Sequence, residues 1–489
     1  MPHKANRTMF GCISVYPDVF ILRIFHYAVC WGRMISFRHR HMLSAGAALL
    51  LGLALRIYLL AQFTNIVGDS LIYGDIAKNL LQYGIYGMSG GQEISSTLIR
   101  LPGYPLFLAA CFRVFGMEHY VEILWLQLAL DLCSCILLWR FAARRFSPIA
   151  GQVTLWLAAL CPFTAICISN PLAETLSFFC LSLALFAVGR FLDQPNWRWT
   201  LLFTFAISYG TLLRPDGALA AVALWPVLLF SPRLCQIRWK RALRFAAVSA
   251  LLSVLPFTVW AYRNWQVFHV FQPLAPRYAT DPGEDTYPGY IRWVKTWCTD
   301  FSHTYLIYWT IPTDKVDVNN LPAIAFDSED QRERTVKILN DYNNRLRLDN
   351  ELDEEFAALA KERIADHPVH YYLVLPAMRV ANMWFRPRTE QFPFDVDWWN
   401  YDYHDQESLV AIAMIYLNVG YLFLALLGAI KKPPLWQVMV LYCLLRSTLL
   451  WTIEAPETRY TLECFPFLFV LAGAVFWKPA STCLPSLSP

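Results

Sequence analysis

Ten apolar runs, each near the length that crosses a bilayer, break up this chain and limit what it can fold into. They cover about 42–62, 121–139, 149–168, 173–189, 199–213, 217–230, 245–261, 408–430, 435–452 and 460–477. A hydrocarbon core takes about 20 consecutive apolar residues of helix. Only 16% of residues are charged and 56% are hydrophobic, against roughly 25% charged in soluble domains. The expected fold is an all-α polytopic membrane protein of about ten transmembrane helices, with an amphipathic first extracytoplasmic loop and a large extracytoplasmic segment.

The loops between these runs alternate in charge. Arg38-His-Arg-His41 precedes the first run, Arg140, Arg144 and Arg145 follow the second, and Arg190 and Arg198 follow the fourth. Five Lys or Arg lie between Arg233 and Arg244, Lys431-Lys432 closes the eighth run, and Lys478 closes the tenth. The positive-inside rule puts these loops and both termini in the cytoplasm. It puts Asp69, Arg100, Asn170, Glu174, Arg214, Arg263, Asn264, Glu457 and Arg459 together on the extracytoplasmic side. Singly, each Arg reads as an interfacial anchor; together they read as a site.

This divides the chain into a basic N-terminal segment (1–41), a transmembrane half (42–263) holding the first extracytoplasmic loop (63–120), an extracytoplasmic segment (264–407), C-terminal transmembrane helices (408–478) and a tail (479–489). Residues 1–41 read either as a surface-lying helix or as an over-extended start ahead of Met34 or Met42. The net charge of +4 is small and scattered over loops, which argues against nucleic acid as a partner. The thirteen cysteines fall mostly within apolar runs, where they act as small hydrophobes, and no zinc-type spacing occurs.

The first loop is the densest stretch. Asp69 leads a helical pattern over Leu71–Tyr83, in which Leu71, Ile72, Ile76, Leu80 and Tyr83 recur at three- and four-residue steps. A Gly-rich turn and Arg100-Leu-Pro-Gly-Tyr-Pro follow. A carboxylate at the start of an amphipathic helix beside a span suits chemistry on a substrate at the bilayer surface. The competing reading makes Asp69 a helix N-cap.

Asp131 and Arg446 lie inside apolar runs, and charges there face partners or a cavity. Two readings stand: the two pair with one another, or Arg446 holds a lipid phosphate. In the outer segment, Trp293, Trp297, Trp309, Trp384, Trp398 and Trp399 accompany a charged helical stretch over about 327–366. His370–Phe385 reads as a surface-lying stretch. The aromatic run Phe392–His404 serves either as an interfacial belt or as a platform for sugar rings. His367 and His370 are three apart, but the intervening proline weakens a metal pair.

Asp69-Ser-Leu-Ile-Tyr-Gly-Asp-Ile-Ala resembles the first-loop pattern of the GT-C superfamily of membrane glycosyltransferases, nearest the protein O-mannosyltransferase and aminoarabinose-transferase group. Arg100-Leu-Pro-Gly-Tyr-Pro resembles that family's basic-Pro-Gly-Tyr-Pro element, with Leu101 where many relatives carry Pro. Asn170-Pro-Leu-Ala-Glu174-Thr resembles its second acidic site. Leu213-Arg214-Pro215, Trp260-Ala-Tyr-Arg263-Asn264 and Arg459-Tyr460 also match. The resemblance covers about 42–280 and the last two runs; about 281–400 matches nothing.

The resemblance implies an inverting transfer of a sugar from a polyprenyl-phosphate donor to an extracytoplasmic lipid, glycan or protein acceptor, in the plasma membrane of a bacterium. It implies Asp69 as general base with Glu174 in support, and Arg100, Arg263 and Arg459 as ligands of the donor phosphate, joined by Arg446 on its membrane position. Guanidinium matches phosphate geometry. Tyr73, Tyr104 and Asn264, in the same elements, are assigned to the sugar or acceptor. A divalent metal near Glu174 is left open, since metal use varies within the superfamily. The alternative is a transporter or flippase of a lipid-linked sugar, for which the absence of an internal repeat speaks poorly.

Overall fold

In the computed structural model, residues 17–91 and 93–478 are described. The expectations on residues 1–16 and 479–489 lie outside them. Helix α1 spans Pro17–Phe63; of the described residues, those up to Ala47 form a small unit of their own, and those from Ala48 form the larger unit that carries the site.

Helix dominates because a backbone in lipid must satisfy its own hydrogen bonds. In order come α2 (Asp69–Tyr83), α3 (Gly103–Phe115), α4 (Tyr120–Arg145), α5 (Pro148–Ala159), α6 (Pro162–Ala165), α7 (Glu174–Asp193), α8 (Trp197–Leu213), α9 (Ala218–Leu229), α10 (Ser231–Cys235) and α11 (Trp239–Phe268). The outer segment contributes α12 (Pro288–Lys295), α13 (Phe301–His303), α14 (Glu329–Arg345), α15 (Asn350–Asp366) and α16 (Leu375–Phe385). The chain closes with α17 (Asp405–Ile430), α18 (Trp436–Leu450) and α19 (Phe465–Gly473).

All ten expected apolar runs fall on helix. Among the described residues, six helical stretches are long and apolar enough to span: Arg40–Phe63, α4, α7, α11, α17 and Thr458–Phe476. A seventh is a pair, Pro148–Ala159 with Pro162–Ser169, bent by 53° where Pro162 interrupts it. The runs at 217–230 and 435–452 form shorter helices. The 12 residues of α9 reach only about 18 Å at 1.5 Å per residue. Helix α3 was expected only as loop.

Burial sorts the spans. Of their apolar windows, α7 and Thr458–Phe476 are 78% buried, whereas α11 and α17 are 22% buried. The first two form the centre of the bundle and the others present apolar faces outward. Close contact at the centre needs small residues: a Cβ on Gly428 would strike the Leu471 carbonyl, and one on Gly473 would strike Thr154.

One buried ion pair ties three helices. Arg56 Nε donates to Asp131 Oδ2 at 2.6 Å, while Arg56 Nη1 donates to the Gly52 carbonyl at 2.9 Å and the Ala159 carbonyl at 2.6 Å. Asp131 therefore pairs with Arg56 of α1 and not with Arg446. The rule that singles out intramembrane charges applies equally to Arg56, which supplies the partner.

The outer segment has its own core. Trp293, Trp297, Leu339, Tyr342, Phe356 and Leu359 cluster between α12, α14 and α15. The charged stretch becomes two helices, capped by Ser328 and Asp349, whose side chains accept from Gln331 N and Leu352 N. Asp353 fastens α12 onto α15 by accepting from Gly289 N at 3.1 Å and Tyr290 N at 2.8 Å. Arg363 is buried and donates to the Ala325 carbonyl at 2.8 Å and to Gln331 Oε1 at 2.6 Å. Trp293 and Trp297 are fully buried in this core. On the surface-lying stretch, Tyr372, Leu373, Met378 and Phe385 are exposed while Leu375, Arg379 and Met383 are buried.

Candidate functional site

The site is built around the start of α2. The N-cap residue of that helix is Gly68, and no side chain caps it. Asp69 is the first helical residue and turns its carboxylate away, accepting from Arg100 Nη2 at 2.7 Å. The cap reading of Asp69 is therefore replaced by an ion pair that reaches across the first loop.

The loop is held so that this pairing can form. Strands β1 (Gly87–Gly90) and β2 (Glu93–Ser96) make a two-stranded antiparallel hairpin between α2 and Arg100. Asp75 accepts from Ser89 N at 2.7 Å and Ser89 Oγ at 3.0 Å, which fixes the hairpin to α2. Asn79 donates to the Gly87 carbonyl at 3.0 Å. On the far side, Arg263 donates to the Tyr86 carbonyl at 2.7 Å and the Thr97 carbonyl at 2.8 Å. Tyr86 in turn donates through its hydroxyl to the Arg100 carbonyl at 3.0 Å. The outer segment adds Asp281, which accepts from Leu98 N at 2.7 Å. The predicted apolar stripe on α2 is divided: Ile76 is buried, but Leu71 and Tyr83 are exposed with Leu81. Exposed apolar positions on a helix beside a span suit the headgroup region.

Beneath Asp69 lies a network of acids and guanidinium groups. Glu174, in the first turn of α7, accepts from Arg214 Nη1 at 3.0 Å, and Arg459 Nη1 stands 3.7 Å from the same oxygen. Arg214 also meets Glu463 at 2.9 Å and Asp216 at 3.6 Å. Arg446 pairs with Asp216 and lies 3.1 Å from Glu463. Arg459 pairs with Glu457, which also accepts from the Tyr460 hydroxyl. Burying so many charges is tolerable only because each faces its opposite.

The electrostatics of Asp69 follow from this. Burial pushes its carboxyl up, but Arg100, then Arg459, and Arg214 behind them outweigh burial and hold it below the ordinary carboxylate value. Tyr73 packs against Tyr104 with ring centroids 5.1 Å apart and lies 5.8 Å from the Arg100 guanidinium. Burial is the main cause that pushes the Tyr73 phenol up to about 12, so it stays protonated as a donor.

Several expected site residues take other places. Arg446 is fully buried and its charge faces Asp216 and Glu463. Arg263 spends two donors on backbone carbonyls of the first loop, which makes it a brace for that loop. Tyr104 is fully buried, donates to Gln127 Oε1 at 2.8 Å and packs against Tyr73. Asn264 is fully buried, donating to the Gln272 carbonyl at 2.7 Å and accepting from Arg263. Asp69, Arg100, Tyr73, Glu174 and Arg459 do come together.

Asp216 and Glu463 belong to the network without having been singled out. Glu463 lies within the last apolar run, and the intramembrane-charge rule would have found it. For a divalent cation, the oxygens around Asp69 and Glu174 face guanidinium groups, which disfavours one there. Among the described residues, one group of three has ligand atoms all within 4.8 Å of one another: Asp395, His404 and Glu407. His367 and His370 do not belong to it.

Residues 100–260 match the family model described as dolichyl-phosphate-mannose-protein mannosyltransferase. The match opens on Arg100 and takes in Glu174, Arg214 and Asp216. No curated protein matches the chain by sequence. Two crystal structures of ArnT from Cupriavidus metallidurans are similar at 14% identity. The one bound to undecaprenyl phosphate covers 87% of this chain and 76% of its own, with a TM-score of 0.38. The apo form covers 91% and 77%, with a TM-score of 0.33. Over residues 100–260 the chain is similar to the dolichyl-phosphate-mannose-protein mannosyltransferases, and its long apolar helices are those of an integral membrane protein.

Proposed function

We propose that the chain transfers a sugar, with inversion, from a polyprenyl-phosphate carrier to an acceptor hydroxyl on the extracytoplasmic side of a bacterial plasma membrane. The observation that carries this reading is the 2.7 Å pair between Asp69 and Arg100, standing above Glu174 and Arg459. It puts a carboxylate and a guanidinium side by side at one end of the bundle. That pairing serves both halves of a displacement. The acceptor oxygen attacks the anomeric carbon and its proton passes to Asp69. The bond from that carbon to the phosphate oxygen breaks, and its electron pair leaves on the carrier phosphate. Arg100 and Arg459 stabilise that developing charge.

Asp69 is a weak base at rest, because Arg100 and Arg459 favour its charged form. It accepts a proton only as the attacking hydroxyl becomes acidic during bond formation. Its depressed value has the merit of keeping it ionised whenever a donor arrives. Glu457 and, further off, Glu174 orient Arg459, and Tyr73 offers a hydroxyl donor beside Arg100. Both termini are placed in the cytoplasm by loop charge. The same external charges would also serve a flippase of a lipid-linked sugar, which the test separates from a transferase.

Membranes containing the protein are incubated with a panel of radiolabelled polyprenyl-phosphate sugars, and label moving to an acceptor is measured. Transfer from one donor, abolished in Asp69→Asn, is the expected result. Movement of intact lipid-linked sugar across the bilayer without transfer would point to the flippase.

A further inference from the structure

Arg459 sits in the first turn of the helical stretch Thr458–Phe476, paired with Glu457, and the residue before it is gripped from elsewhere. Thr458 is buried. Its hydroxyl donates to Glu390 Oε2 at 2.5 Å, and its carbonyl accepts from Arg388 Nη1 at 2.7 Å. Both gripping residues belong to the outer segment, within Arg386-Pro-Arg-Thr-Glu390, a stretch that matched no family pattern. Arg388 is itself fixed to the transmembrane part, donating to Asn418 Oδ1 of α17 at 3.2 Å.

The grip continues outward. Glu390 lies 3.2 Å from Arg386, and Arg386 pairs with Asp300. Asp300 caps α13, accepting from Ser302 N at 2.9 Å, and is held by Asn382 at 2.9 Å. Arg386, Arg388 and Glu390 side chains are almost entirely removed from solvent. A run of charges this deeply buried is costly to maintain unless its geometry is specified, and here that geometry ends on the residue preceding Arg459.

We propose that Glu390 and Arg388 are positioning residues for the transfer reaction: by clamping Thr458 they set the orientation of Arg459 toward the carrier phosphate. The outer segment thereby becomes part of the donor site without touching the donor. The inference rests on the reading of Arg459 as a phosphate ligand, and the test separates the two.

Purified full-length protein is titrated with undecaprenyl phosphate, and with undecaprenol as the phosphate-free probe. Thr458→Val removes the hydroxyl while keeping volume. It is expected to weaken undecaprenyl phosphate about tenfold, as loss of one aligned phosphate contact would, and to leave undecaprenol unchanged. Thr458→Ser restores the hydroxyl and recovers most of the loss. Glu390→Gln, which keeps an acceptor oxygen for Thr458, serves if Thr458→Val fails to insert, and is expected to fall between wild type and Thr458→Val. If Arg459→Ala weakens the phosphate probe while Thr458→Val does not, the clamp is refuted and the phosphate reading survives. Equal losses for Thr458→Val and Thr458→Ser, or equal losses for both probes, reduce the clamp to packing and refute it. If Arg459→Ala leaves the phosphate probe untouched, the phosphate reading falls and the clamp falls with it.

Discussion

Asp69 and Arg100 lie 31 residues apart in sequence and meet at 2.7 Å. The hairpin between them, pinned by Asp75 on one side and Arg263 on the other, makes that meeting possible. Since Gly68 occupies the cap position, the Asp69 carboxylate has no structural duty to α2. Asp69→Asn should therefore insert and fold as wild type. It should lose transfer by roughly 10²–10⁴-fold, the usual contribution of a general base. Transfer per unit of inserted protein decides it, and a wild-type rate removes the assignment.

The same pair predicts a pH dependence. Arg100 is the leading group that holds the Asp69 carboxyl down against burial. A carboxyl lowered on folding contributes stability above its unfolded value and loses it as pH falls through the folded value. The basic form should thus persist below about pH 4, the ordinary carboxylate region. Arg100→Gln removes the main lowering influence, so the acidic limb of kcat/KM should move upward. A limb that stays in place in Arg100→Gln would show that Arg100 does not govern the base.

Arg263 and Arg459 should part company. Arg459→Ala is expected to raise the apparent KM for the lipid donor about tenfold, with Lys a partial rescue because it lacks the two-pronged geometry. Arg263→Ala instead removes donors from the Tyr86 and Thr97 carbonyls. Hydrogen bonds to charged groups contribute about 1.5–3 kcal/mol each. Its signature is faster proteolysis between Gly84 and Arg100, with a fall in kcat as the loop loosens. A pure KM effect in Arg263→Ala would return it to the phosphate.

The Arg56–Asp131 pair tests the transmembrane packing. Breaking a buried pair from one side costs about 3–5 kcal/mol, because it strands a charge. Arg56→Leu and Asp131→Leu alone should each lower the yield of folded protein, and the double variant should recover much of it. Additive losses in the double variant would mean that the two side chains do not interact.

Sidedness rests on loop charge and has a direct check. Reporter fusions after Arg145, Arg244 and Lys432 should read cytoplasmic, and fusions within 280–400 should read external. A cytoplasmic signal from the outer segment would place Asp69 on the wrong face for an extracytoplasmic acceptor.

The membrane class, the positions of the apolar helices and the densest stretch of motifs are legible in the residues alone. Those properties are local: hydropathy and loop charge are read within one run of about 20 residues, and Asp69, Arg100, Glu174 and Arg459 stand in short motifs. Which charge meets which depends on the packing of the helices. Asp131 finds Arg56, 75 residues away, and Arg446 finds Asp216 and Glu463, because depth and rotation of packed helices choose the partners. For the same reason Arg263 reaches two carbonyls of the first loop, and Asn264 beside it reaches the Gln272 carbonyl. Tyr104 disappears behind Tyr73, since the short helix α3 packs it inward against Gln127. The outer segment offered no pattern to read, yet it supplies Glu390 and Arg388 to Thr458. A contact between elements distant in sequence leaves no periodic trace in either, so only the fold could reveal it.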